Sequence, residues 1–166
     1  TVRLQGRTAL ITGASRGIGR AWAVGCAAFG CRLANLFVRV GGRHPAAAAA
    51  PVAEEVRQLG RQAVCLEADV TDFAAVQAMV AATSETLGRL DILVSNAGIT
   101  RDRTLRKLSP EDWQTVLDVN LTGAFNCTKA VLEPMLEQGY GRIISLASVV
   151  GLMGNFGQAN YAASKA

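Results

Sequence analysis

Tyr161 and Lys165 stand four residues apart, and Ser148 lies thirteen residues before the tyrosine. Residues i and i+4 share one face of a helix, so this spacing sets a phenol beside an ammonium. A nearby cation favours the phenolate and lowers the phenol's pKa. Such a pair suits general acid/base work on an alcohol or a carbonyl. The spacing alone also fits two unrelated residues of a surface helix, so its meaning depends on what precedes it.

The segment Thr12-Gly13-Ala14-Ser15-Arg16-Gly17-Ile18-Gly19 follows a strand-like apolar run and opens a helix-like one. Glycines let the backbone turn tightly and approach a ligand, and a helix N-terminus attracts anions. In this context the turn reads as a dinucleotide site built on Gly13, Ser15, Arg16, Gly17, Ile18 and Gly19. A plain strand-to-helix turn is the bland reading. The end of the second strand selects the cofactor: an acid suits the ribose hydroxyls of NAD, and basic residues suit the 2′-phosphate of NADP. No acid occurs between Cys31 and Pro51, whereas Arg39 and Arg43 lie just past the strand and Arg16 sits in the turn. NADP(H) is therefore expected, although Arg39 and Arg43 also fit a solvated loop.

Asp69-Val70 closes a third strand-like run and Asn96-Ala97-Gly98 a fourth. Ligands of open parallel sheets bind outside the carboxyl ends of the strands. Asp69 suits an adenine amine, or equally a cap of the following helix or its turn. Asn120 interrupts the apolar stripe of a long helix, where a buried amide must find partners. From the helix alone it reads equally as a satisfied core residue or a functional one.

These groups need a scaffold, and the chain alternates strand-like and helix-like segments. Strands are expected at Thr8–Ile11, Cys31–Val38, Ala63–Leu66, Leu90–Ser95 and Arg142–Ala147. Helices are expected at Gly17–Phe29, Val52–Leu59 (entered through Ala46–Ala50), Phe73–Leu87 and Pro110–Gln138. The long helix has Ser109 as N-cap, Pro110 at N1, and Glu111 and Asp112 at the positive end of its dipole. Its stripe runs Trp113, Val116, Leu117, Leu121, Ala124, Thr128, Val131, Leu132, Met135. The alternation predicts an α/β fold, a doubly wound parallel sheet in three layers.

Composition narrows the function classes. The 166 residues suffice for one domain with a real core. Half are hydrophobic and 18% charged, a globular balance. No apolar run reaches the ~18 residues of a membrane span, and the first residues lack signal-peptide anatomy. A cytoplasmic protein without a membrane partner is expected. Cys26, Cys31, Cys65 and Cys127 have no C-x-x-C pairing and read as reduced core residues. One histidine, His44, leaves little for a zinc site or a Ser-His-Asp triad. The net charge of +4 suits a phosphate-bearing ligand. No aromatic-basic interleaving speaks for nucleic acid.

Taken in order, the glycine turn, Asp69-Val70, Ser95-Asn96-Ala97-Gly98, Asn120, Ser148, Tyr161 and Lys165 resemble the motifs of the short-chain dehydrogenases/reductases, over the whole chain. The resemblance implies a Rossmann-like sheet, a nicotinamide cofactor and a catalytic set of Asn120, Ser148, Tyr161 and Lys165. It implies that Tyr161 exchanges the proton of the substrate oxygen and that Lys165 lowers its pKa and binds the nicotinamide ribose. Ser148 then holds the substrate carbonyl, and Asn120 anchors a water of the proton relay. Asp69, Val70, Asn96, Ala97 and Gly98 join the cofactor residues, as do Tyr161 and Lys165.

Within the family, Asn96 to Asp102 and Gly154 to Tyr161 look like the 3-oxoacyl-thioester reductases of fatty acid biosynthesis, whose substrates ride on acyl carrier protein or CoA. Arg101, Arg103, Arg106 and Lys107 suit the acidic carrier or the CoA phosphates, or a solvated loop. The run Gly154 to Tyr161 also resembles NAD-dependent 3-hydroxyacyl-CoA dehydrogenases of β-oxidation, which carry a longer, Gly-Gly-containing loop after the second strand, as here. A nucleotide-binding protein without catalysis is a further alternative.

Departures from the pattern are Ser95 in place of the usual first asparagine and the long loop at 38–51. The family's pattern also continues past Ala166 with further strands. The chain is thus expected to be one dinucleotide-binding domain, residues 1–166, lacking the C-terminal strands. The complete protein is expected to be a homotetramer with the long helix in an interface.

Overall fold

The computed structural model describes residues 4–38 and 50–166. Arg39, Arg43 and His44 lie outside the described residues, as does most of the alanine tract. Five parallel strands form one sheet: β1 (Thr8–Thr12), β2 (Arg32–Val38), β3 (Ala63–Ala68), β4 (Ile92–Ser95) and β5 (Arg142–Ser145). The order across it is β3-β2-β1-β4-β5. The chain moves outward from β1 through β2 to β3, then crosses back to the other side of β1. The strand order therefore reverses between β1 and β4, the switch point at whose carboxyl end open α/β sheets bind ligands.

The central strands β1 and β4 are buried on both faces, as the interior of a parallel sheet requires. β1 is buried at all five positions. Its side chains alternate: Ala9 and Ile11 join one core cluster and Leu10 the other. Ile92 and Val94 follow the first pair and Leu93 the second. Helices α1 (Gly17–Ala28) and α2 (Ala50–Gln58) cover the first face, with Ala23, Cys26, Val52 and Val56. Helices α3 (Phe73–Leu87) and α5 (Gly123–Glu137) cover the second, with Val76, Val80, Cys127 and Val131. Three layers result, as the alternation predicted.

Local chemistry sets the helix ends. Asp72 caps α3, accepting from the N–H groups of Ala74 and Ala75, and Gly88 ends it in the left-handed region. Ser109 caps α4 (Pro110–Leu117) by accepting from Asp112 N at 3.1 Å, as expected.

Three expectations need correction. The long helix is not continuous. A π turn, Asp118–Thr122, separates α4 from α5 and carries Asn120, and such turns are frequent at functional sites. The stripe is also not wholly inward. The buried residues are Val116, Val119, Asn120, Gly123, Asn126, Cys127, Val131 and Met135. Leu121, Phe125, Leu132 and Leu136 form a second apolar row that is solvent-exposed. An apolar count cannot tell two such rows apart. Finally, Cys65 is exposed, because it lies on an outward-facing position of β3, the edge strand.

Past β5 the chain forms two short helices, α6 (Val149–Met153) and α7 (Ala159–Lys165). The element α6 had no counterpart in the sequence pattern. At five residues it is too short for a periodic signal.

Candidate active site

The glycine turn and the segment after β4 meet at the switch point, and side chains lace them together. Thr12 Oγ1 accepts from the N–H of Asn96 (3.0 Å) and of Ala97 (2.9 Å). Asn96 Nδ2 donates back to the carbonyls of Thr12 (2.9 Å) and Gly13 (3.2 Å). Asn96 thus fixes the shape of the turn. Gly13 takes φ +68°, a conformation open to glycine. A Cβ on Gly19 would run into the Gly13 carbonyl and Asn96 Nδ2, so the first turn of α1 lies hard against β1. No acidic side chain occupies that turn, and Arg16 stands at its N-cap.

A cavity of about 470 Å³ opens here, lined among others by Arg16, Ile18, Asn96, Gly98, Tyr161 and Lys165. Residues separated by most of the chain thus share one space. Lys165 Nζ donates to Leu146 O at 2.8 Å. The ammonium is half-buried, and burial pushes its pKa below the ordinary lysine value. Lys165 also lines a second cavity of about 360 Å³, with Ser95, Asn120, Ser145 and Ser164. Ser95 Oγ is buried there without a hydrogen-bond partner.

The backbone of Tyr161 is held at both ends. Its N–H donates to Asn160 Oδ1 (2.8 Å), and its carbonyl accepts from Ser164 Oγ (2.9 Å). Asn120, in the π turn, is 4% exposed. Its Nδ2 donates to Ile99 O and to Ser164 Oγ, both at 3.0 Å, while its Oδ1 accepts from Ile99 N at 2.8 Å. The amide of Asn120 therefore ties the loop after β4 to α7. Ser148 caps α6, accepting from Val150 N at 3.2 Å, and keeps its O–H free to donate. It does not line the larger cavity, whereas Leu146 and Ala147 just before it do.

Asp69 Oδ1 accepts from Thr71 N (2.9 Å) and Thr71 Oγ1 (2.7 Å), closing the turn after β3. Of its two expected local roles it takes the turn, and Asp72 takes the helix cap. Val70 is buried beside Gly123. Neither lines the larger cavity. Gly13, Ser15, Gly17, Gly19 and Ala97 do not line it either.

The match to known families follows this geometry. The short chain dehydrogenase family model matches residues 7–166. The chain belongs to the short chain dehydrogenase family. A 3-oxoacyl-[acyl-carrier-protein] reductase of Synechocystis sp. is 47% identical over 98% of this chain and 64% of its own length. The 3-oxoacyl-[acyl-carrier-protein] reductase FabG of Staphylococcus aureus is 45% identical over 96% of this chain and 63% of its own. A carveol dehydrogenase of Mycobacterium avium, solved in complex with NAD, superposes with a TM-score of 0.92 at 36% identity, covering 99% of this chain and 62% of that one. The chain thus spans somewhat less than two thirds of the length of these short chain dehydrogenases.

Three site residues escaped the sequence reading: Asn126, Asn160 and Ser164. Asn126 Nδ2 donates to Val70 O at 2.9 Å and holds the end of β3. It lies on the buried face of α5, where an amide is as conspicuous as Asn120. Asn160 and Ser164 flank the Tyr161–Lys165 pair, and their signal was only that proximity.

Proposed function

We propose that this chain carries the cofactor site and proton-transfer groups of an NADPH-dependent reductase. Its substrates are 3-oxoacyl thioesters and its products 3-hydroxyacyl thioesters. The observation that supports this is the single cavity shared by Arg16, Asn96, Gly98, Tyr161 and Lys165. The similarity to two 3-oxoacyl-[acyl-carrier-protein] reductases supports the substrate class.

The residues present fit a dinucleotide. A Cβ on Gly19 would fill the close approach of α1 to β1. The N-terminus of α1 is free of acids and offers N–H groups to a pyrophosphate. Gly13, Ser15, Gly17, Ile18 and Gly19 would hold the phosphates. Asp69 and Val70 would hold the adenine, and Asn96, Ala97 and Gly98 the adenosine side of the crevice. Arg16, with Arg39, would take the 2′-phosphate. When bound, the nicotinamide supplies the hydride.

The chain's own groups supply orientation and the proton. The Ser148 O–H donates to the substrate carbonyl oxygen and fixes its position. Tyr161 Oη gives its proton to that oxygen as it becomes an alcohol, so Tyr161 is the general acid. Lys165 lies one helical turn away, and its ammonium favours the phenolate that Tyr161 becomes. Asn120 holds α7 to the loop after β4 and faces the second cavity, where a water relays the replacement proton. Arg101, Arg103, Arg106 and Lys107 form a basic mouth for the phosphate-bearing arm of acyl carrier protein or CoA. The exposed row Leu121, Phe125, Leu132 and Leu136 suits a subunit interface, in keeping with a homotetramer.

Two measurements test this. Tyr161→Phe should abolish NADPH oxidation with acetoacetyl-CoA while leaving NADPH binding intact, and undiminished turnover would reject the mechanism. Titration with both cofactors should show NADPH binding tighter, with Arg16→Ala narrowing the gap about tenfold, as expected for loss of one exposed charge-assisted contact. Equal or tighter NADH binding would replace this reading with an NAD-dependent 3-hydroxyacyl-CoA dehydrogenase.

A further inference from the structure

Asn160 directly precedes Tyr161 and is fully buried at 0% exposure. A buried side-chain amide must place two N–H donors and an acceptor. Its Nδ2 donates to Arg101 O (3.1 Å) in the loop after β4 and to Asp112 O (3.3 Å) in the first turn of α4. Its Oδ1 accepts from Tyr161 N at 2.8 Å. One amide thus joins three parts of the chain at the start of α7.

The two loops that meet there are laced beyond Asn160. Arg103 N donates to Gly157 O at 2.8 Å. Gln158 Nε2 donates to Asp102 Oδ2 at 3.0 Å, and Asn155 Nδ2 to Gln158 Oε1 at 2.8 Å. These outer contacts are exposed, whereas the Asn160 bonds are sheltered and stronger for it. Arg101 and Tyr161 line the same cavity, so whatever fixes 101 relative to 161 fixes the width of the cavity.

We propose that Asn160 is a positioning residue for the proton transfer: it sets where α7, and with it the Tyr161 hydroxyl, stands relative to the loop after β4 and the first turn of α4. The proposal rests on the role given to Tyr161 above. Misplacement of a reacting group by ~1 Å costs about 10²-fold in rate.

Asn160→Asp tests it. The aspartate keeps the acceptor for Tyr161 N–H, loses both N–H donors and sets a carboxylate against two carbonyls. The expected result is a fall in kcat of about 10- to 100-fold with KM for the thioester and NADPH Kd changed less than about threefold. A merely structural role would lower Tm yet leave the kcat of the folded protein unchanged. Asn160→Ser, smaller and still able to accept from Tyr161 N–H, reads the same quantities if the aspartate variant does not fold. Wild-type kcat in either folded variant overturns the proposal. Tyr161→Phe run alongside separates the cases: an active Tyr161→Phe removes the reading of Tyr161 itself, whereas an inactive one with normal Asn160 variants removes only this inference.

Discussion

Ser164 Oγ lies 3.0 Å from Asn120 Nδ2 and itself donates to Tyr161 O. One hydroxyl thereby couples the π turn to the helix of the candidate acid. Both residues are over nine-tenths buried. Ser164→Ala leaves an amide donor unsatisfied and should cost about 1–3 kcal/mol in urea unfolding, with a lower kcat. A double-mutant cycle with Asn120→Ala should give a coupling of about 0.5–3 kcal/mol. Additive effects would mean that the two do not act through each other.

A Cβ on Gly151 would overlap the carbonyl carbon and oxygen of Lys165. The obstacle is backbone, so it moves only with α7. Gly151→Ala should lower kcat at least about tenfold, since a displaced helix carries Tyr161 and Lys165 with it. Cofactor binding at the glycine turn should be unchanged. A variant with normal kcat would show that α7 shifts without consequence.

Burial lowers the pKa of Lys165. The sign follows from proton counts. Between the folded pKa and the unfolded value of ~10.4 the unfolded chain binds more protons, so this residue's contribution to stability rises with pH there. Activity runs the opposite way, because the useful form is the ammonium. The alkaline limb of kcat should therefore fall below the ordinary lysine range, and Lys165→Arg, which stays charged, should move it up. A pH–rate profile of both proteins checks this, and an unmoved limb assigns it to another group.

At the opposite end of the sheet, Asp91 is fully buried and accepts from Arg89, from Thr8 N (2.9 Å) and from Arg7 (2.8 Å). Burial alone would raise its pKa, but the bonds from Arg89, Thr8 N–H and Arg7 outweigh it and hold the carboxyl below its usual range. A depressed carboxylate stabilises the fold above its unfolded pKa of ~3.9 and loses that contribution as pH falls through the folded value. Asp91→Asn should cost about 3 kcal/mol at neutral pH and flatten the stability loss below about pH 4. Denaturant midpoints measured across that range decide it, with activity per folded molecule unchanged.

The residue pattern made the strand–helix alternation legible because burial of parallel strands writes continuous apolar runs and helices write a three-to-four-residue period. The glycine turn was legible for a related reason: its chemistry lies in one short stretch of backbone. The π turn at Asn120 was not, since neither composition nor period changes across it. Leu121 and Leu132, which are exposed, stood in the expected stripe for the same cause.

The sequence by itself determined which groups are available: a phenol, an ammonium, a serine, a glycine-rich helix start and no acid in its first turn. Only the tertiary structure decided what holds them. Asn120 meets Ser164 across 44 residues, Asn160 meets Arg101 across 59, and Asn126 meets Val70 across 56. Such partners are chosen by the strand order, which brings β1 and β4 side by side and sets α7 against α4. No local window of sequence records that choice, because a buried amide states only that it needs partners, and the packing of the whole sheet supplies them.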